Sequence, residues 1–198
     1  MRQTRIRILA ECAMMLALSI ALSFVKLYEL PWGGSVTLFS MLPVMLVSVR
    51  HGLKWGFATS FLFSVFQLIS GNPFGWGLTP AMLVGSIFLD YIVAFTVLGI
   101  AGIFRKKGIP GCLAGVILAC LLRFGSHFAA GVILWAKYDE FVIFGSSFFN
   151  RPVLYSFLYN GAYMGLETVL IIAGACVLFF VPQAKKLIFK DTDIPVGN

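Results

Sequence analysis

From Val153 to Val181 the chain runs without a break through apolar and aromatic residues and carries one ionisable acid, Glu167. A stretch of that length is long enough, at 1.5 Å per residue, to cross a hydrocarbon core of about 30 Å as a helix. Five further apolar segments precede it, at Ile8 to Tyr28, Thr37 to Val49, Leu53 to Ile69, Leu78 to Phe104 and Cys112 to Trp135. Repeated runs of this kind leave too little polar sequence to coat a water-soluble domain. Of the 198 residues, 60% are hydrophobic and 12% charged, which agrees. The expected fold is an all-α integral membrane protein with six transmembrane helices, forming one membrane domain over residues 1–198 with a short polar tail at 183–198. The second segment is short and contains Pro43, which removes an amide donor, so a kink, a tilt or a re-entrant path is expected there.

The basic start of the chain followed by an apolar run resembles a signal peptide. The run is long, lacks a small-residue cleavage site and is followed by more spans, so it reads as an uncleaved first helix. Arg2, Arg5 and Arg7 precede the first segment, and Arg50 and Lys54 join the second to the third. Arg105, Lys106 and Lys107 join the fourth to the fifth, and Lys185, Lys186 and Lys190 follow the sixth. With six crossings all of these fall on one side, which the positive-inside rule makes cytoplasmic, together with both termini. The formal charge of +7 therefore reflects topology, and no nucleic-acid partner is expected. Cys12, Cys112, Cys120 and Cys176 lie in or beside apolar segments without a CxxC pair, so no disulfide scaffold or zinc site is expected. No GxxxxGK[ST] phosphate loop occurs, which excludes a pump that hydrolyses ATP by itself.

The ionisable and amide side chains inside these segments carry the functional signal. Asp90 lies about 18 Å from the start of its segment, too deep to be a frayed end, and an intramembrane carboxylate is a functional candidate by default. Tyr91 follows it, about 100° around the helix. His127 stands one turn from Arg123, with Trp135 two turns further on. Tyr155, Tyr159, Asn160 and Tyr163 enrich the outer half of the last segment, and Glu167 lies deeper. Arg123 pairs with either Asp90 or Glu167, and Glu167 serves either helix packing or a coupling ion. An acid, an imidazole, an amide and aromatic rings at one depth suit a flat, cationic, hydrogen-bonding organic ligand. This is binding chemistry, and neither an enzyme nor a bound cofactor is expected. Along the first segment, Ala13 and Ala17 give a small-xxx-small surface suited to close helix packing. From the residues alone, a self-sufficient carrier for a cationic vitamin or metabolite and a structural assembly protein of the membrane both remain open.

The stretches "LAECAMMLALSIALSF", "GGSVTLFSMLPVMLVSVRHGLKWG", "FLDYIVAF", "RFGSHFAAGVILW" and "YSFLYNGAYM" occur in this order. Together they resemble the thiamine-specific substrate-binding subunits of energy-coupling factor transporters in the bacterial cell membrane. The resemblance implies a six-helix subunit that captures thiamine from outside. It further implies that transport depends on a transmembrane coupling subunit and two cytoplasmic ATPases. It places ligand contacts on Trp32, Asp90, Tyr91, His127, Trp135, Tyr155 and Asn160, and the docking surface on Ala13 and Ala17. Asp90 stands where the family carries glutamate, and its reach is shorter by one methylene.

Overall fold

The computed structural model describes residues 2–30, 34–135, 142–143, 146–147, 151–190 and 192–195. The first helix, α1 (Arg2–Ser23), is built from Ala, Leu and Met, which are strong helix formers. It ends where the Ser23 hydroxyl donates to the Ile20 carbonyl. The chain then extends into β1 (Lys26–Glu29), which pairs antiparallel with β2 (Ser35–Thr37). The first span is therefore shorter than the apolar run suggested, because Leu27 and Tyr28 belong to the ribbon. A second small ribbon pairs β3 (Val142–Ile143) with β4 (Ser146–Ser147). Apart from these ribbons the regular structure of the described residues is helical.

The next helix, α2 (Leu42–His51), is buried from Leu42 to Val49. A helix that is apolar all round belongs inside a bundle, and α2 occupies that place here. Pro43 lies in its first turn, where the missing amide has no intrahelical partner to lose. The expected kink gives way to a helix that starts at the proline. Gly52, at a φ of +87°, turns the chain into α3 (Leu53–Gly71). A Cβ at Gly102 would overlap the Ser48 carbonyl oxygen, so a glycine there lets α2 approach the end of the fourth helical stretch.

That fourth stretch opens with α4 (Pro80–Ser86), capped by the Thr79 hydroxyl accepting from the Met82 amide at 3.4 Å. It continues through a π turn at Ile87–Val93 and an α turn at Ala94–Thr96, then tightens to 3-10 geometry over Val97–Gly102. The basic turn Arg105–Lys107 and Gly108, at a φ of +76°, reverse the chain. Beyond it, α5 (Gly108–Ala130) packs back on Val97–Gly102 and ends in a second π turn at Gly131–Trp135. The long helix α6 (Pro152–Phe180) buries one stripe, including Tyr155, Ser156, Tyr159, Asn160, Tyr163, Met164, Glu167 and Ile171. This spacing of three to four residues, with neighbours filling in, is that of a single helix face. A short helix, α7 (Pro182–Ile188), follows.

Two apolar clusters result. The larger joins α2 to its neighbours through Val44, Val49, Phe63, Leu98, Val116, Ile171 and Phe179, and the smaller gathers Val36, Tyr155, Tyr159, Tyr163 and Met164. The segment after the last span is partly packed, since Phe189 and Ile194 are buried and the Phe189 ring lies 5.4 Å from that of Phe179. Three stretches, Arg5–Ser23, Pro80–Trp135 and Pro152–Phe180, are long and apolar enough to cross a membrane. The second contains the reversal at Gly108 and so supplies two antiparallel arms. Large side chains such as Met14, Leu166, Val169 and Val177 lie exposed on these helices, as a bilayer-facing surface requires. The architecture is an all-α, membrane-spanning helical bundle.

Candidate functional site

A cavity of about 860 Å³ opens between α3, α4, α5 and α6, with β2 along one wall. Asp90 enters it from the π turn of the fourth stretch. Its Oδ2 accepts from the Ser86 hydroxyl at 3.1 Å and from the Trp135 indole Nε1 at 2.9 Å. Its Oδ1 lies 3.1 Å from His127 Nδ1. An ionised carboxylate only accepts, so this contact assigns the proton to Nδ1 of His127. The other ring nitrogen, Nε2, is buried and has no partner among the described residues. In a neutral imidazole that atom is an acceptor, and His127 lines the cavity.

The second π turn explains how Trp135 reaches Asp90. Eight α-helical steps would leave Trp135 about 80° around the helix from His127. A π turn takes more residues per revolution, so the steps from Gly131 to Trp135 reduce that offset. The indole ring also packs edge-on against Trp76, with centroids 5.9 Å apart, and Trp76 is exposed. Opposite, Asn160 on α6 donates from Nδ2 to the His127 carbonyl at 3.2 Å and accepts at Oδ1 from the Tyr163 hydroxyl at 3.1 Å. Tyr155 stacks on Tyr159 at 5.8 Å, and both rings line the cavity. Tyr91 lines it too, its ring filling the space that a side chain at Gly71 would need.

Arg123 and Glu167 occupy the inner end, one to two turns further from the Trp135 end of the site. Arg123 Nη1 donates to Glu167 Oε2 at 2.7 Å, and the guanidinium lies over the Phe95 ring at 4.9 Å. Glu167 Oε1 accepts from the Thr37 hydroxyl at 2.7 Å and from its amide at 3.3 Å. The pair is nearly closed to solvent, with side-chain exposures of 8% and 3%. Arg123 therefore partners Glu167 and not Asp90, which settles the choice the sequence left open. The two inner charges cancel, and Lys26, also on the lining, is paired with Glu29 at 2.6 Å. Asp90 is thus the lining carboxylate left without a permanently charged partner among the described residues, which suits a cation.

The structure thus brings Asp90, Tyr91, His127, Trp135, Tyr155, Asn160, Arg123 and Glu167 to one cavity. Trp32 lies outside the described residues. Ala13 and Ala17 lie elsewhere, exposed on α1. Sequence reasoning missed Ser86, Ser126 and Ser156. Their signal was spacing, since Ser86 and Ser156 stand one turn before Asp90 and Asn160, and Ser126 adjoins His127. Among the described residues, no group of three or more His, Cys, Asp or Glu side chains is placed to hold a metal ion.

Residues 9–188, an interval containing all of these site residues, match the thiamine transporter protein family. The chain is 31% identical over 198 residues to the thiamine transporter ThiT of Bacillus subtilis, covering 92% of this chain and 94% of that protein. It is 28% identical to the thiamine transporter ThiT of Lacticaseibacillus paracasei, with 89% of each covered. A solved structure of ThiT from Listeria monocytogenes superposes with a TM-score of 0.66 at 26% identity, covering 91% of this chain and 98% of that one. On a match of this extent, the chain belongs to the thiamine transporter protein family.

Proposed function

We propose that this chain is the thiamine-binding substrate subunit of an energy-coupling factor uptake transporter. It captures thiamine from outside a bacterial cell and relies on a separate module for the energy of translocation. The observation that carries the reading is the Asp90, His127 and Trp135 cluster. One carboxylate is held by an indole and an imidazole in a cavity whose other charged side chains, Arg123, Glu167 and Lys26, are each paired with an opposite charge. The thiazolium of thiamine is permanently cationic and is drawn to Asp90 and to the aromatic face of Trp135, the latter contact contributing about 0.5–2 kcal/mol. Its aminopyrimidine offers an amino donor and ring acceptors. His127 Nε2 accepts from the former, while Tyr91, Tyr155 and Asn160 orient the ring. The activity is binding and transport, not catalysis. Family membership favours it over a self-sufficient carrier and over a structural assembly protein.

The topology that serves this function has six crossings with both termini in the cytoplasm. The second crossing uses β2 and α2 in succession, because the ten residues of α2 span only about 15 Å. Contacts between charged ends support the orientation. Glu11, near the middle of α1, takes Arg50 Nε at 2.8 Å, Arg50 donates to the Leu187 and Ile188 carbonyls, and Arg105 pairs with Asp193. The first helix, the α2–α3 turn, the basic turn before α5 and the C-terminal segment thus meet at one end of the bundle. The exposed Ala13 and Ala17 on α1 offer the docking face for the transmembrane coupling subunit, with two ATPases beneath it.

Titration calorimetry of the purified full chain with thiamine, in the absence of nucleotide, tests the reading. Saturable binding of one thiamine per chain is expected. An active, folded preparation that takes up no thiamine would overturn it.

A further inference from the structure

Asp90 and Trp135 each sit in a π turn, and the indole-to-carboxylate bond joins the two turns across the cavity. A π turn departs from the regular helical hydrogen-bond ladder and is seldom found without a local reason. Beside each one a buried serine from a different helix donates to a backbone carbonyl. Ser126 on α5 donates at 2.6 Å to the carbonyl of Leu89, the residue before Asp90. Ser156 on α6 donates at 2.7 Å to the carbonyl of Phe128, the residue after His127. The Phe128 carbonyl also accepts from the Gly131 amide, where α5 passes into its π turn. A Cβ at residue 131 would overlap the Ser156 hydroxyl, so Gly131 is what admits it.

Serine hydroxyls in membrane helices commonly bond back to a carbonyl of their own helix one turn earlier, a contact with no bearing on a site. These two bonds are of another kind, since they run between helices at separations of 37 and 28 residues. Ser126 is 7% exposed and Ser156 fully buried, and neither lines the cavity, so neither touches a ligand. We propose that Ser126 and Ser156 are positioning residues, which brace the two π turns and so set the Trp135 to Asp90 contact and the affinity of the site. The claim about affinity rests on the thiamine reading, whereas the claim about geometry stands without it.

The test uses the full chain in detergent with indole nitrogens labelled. The Trp135 N–H resonance is assigned by its loss in Trp135→Phe. In ligand-free protein, Ser126→Ala and Ser156→Ala should each shift that resonance. Ser126→Thr, which keeps the hydroxyl, should restore it. Each alanine variant should also weaken thiamine binding about tenfold, as expected for the loss of one buried hydrogen bond that orients a charged group. Ser64→Ala, which removes a buried hydroxyl that donates within α3 to the Phe61 carbonyl and accepts from Thr96 at 3.4 Å but meets neither π turn, controls for a general loss of packing. An unmoved Trp135 resonance in both alanine variants, thiamine affinities within twofold of the parent, or effects equalled by Ser64→Ala would overturn the proposal. A parent protein that binds no thiamine would reject the functional reading instead, and the resonance would still decide the geometry.

Discussion

The cavity holds two carboxylates with opposite surroundings, Glu167 buried and Asp90 partly buried. Glu167 has both oxygens engaged, one by Arg123 and the other by the hydroxyl and amide of Thr37, and its charge is matched. Asp90 is held by neutral donors, Ser86 and the Trp135 indole, and by an imidazole whose other nitrogen is buried without a partner among the described residues. Taking a charge out of water costs several kcal/mol unless something replaces the solvent. At Glu167 the protein supplies the replacement and joins α5, α6 and β2 in doing so. At Asp90 the replacement is incomplete until a cation arrives. One carboxylate is therefore matched within the fold, and the other is the one we propose receives the ligand, although they share a cavity.

The largest effect that separates them is expected at Glu167→Gln, which leaves the Arg123 charge buried and unmatched. Thermal unfolding should show a loss of about 3–5 kcal/mol. Replacing both partners, as in Arg123→Met with Glu167→Met, should recover most of that loss, because an apolar pair carries no desolvation cost. Recovery in the double variant would mark the pair as structural, and its absence would assign it a ligand contact. Next in size is Asp90→Asn, for which calorimetry should show thiamine binding weakened by about 2–3 kcal/mol, on the order of a hundredfold in Kd. Its unfolding midpoint should stay near that of the parent. Trp135→Phe keeps an aromatic face and loses only the bond from Nε1 to Asp90, so a loss of about 1 kcal/mol in binding is expected from the same titration. The smallest change is expected at Thr37→Val. It removes one hydroxyl from Glu167 and should lower stability by about 1 kcal/mol without moving the thiamine Kd.

Much of this contrast was visible in the sequence because ionisable residues are costly in hydrocarbon and so stand out. Asp90, His127 and Asn160 were legible for that reason, and the apolar runs marked the helices that bring them together. The partner of Arg123 was not, since Glu167 lies 44 residues away and the choice over Asp90 depends on how α5 and α6 pack. The π turns were also hidden. Nothing in "IFLDYIV" or "GVILW" departs from an ordinary apolar helix, and the widening is stabilised from outside by Ser126 and Ser156. Pro43 was read as a kink, a tilt or a re-entrant path because its effect depends on where the helix begins, and the turn at Ser40 and Met41 sets that point. Phe189 and Ile194 went unnoticed because the apolar residues of the tail follow no regular period, and only their packing against the bundle shows their part.

Charge selectivity at Asp90 tests the account most directly. Thiamine and an analogue of the same shape with an uncharged ring in place of the thiazolium would be titrated into the parent protein and into Asp90→Asn. The account predicts that the parent prefers thiamine by at least about tenfold and that Asp90→Asn loses most of this preference. An equal preference in both proteins, or none in the parent, would contradict the assignment of Asp90 as the carboxylate that receives the cation.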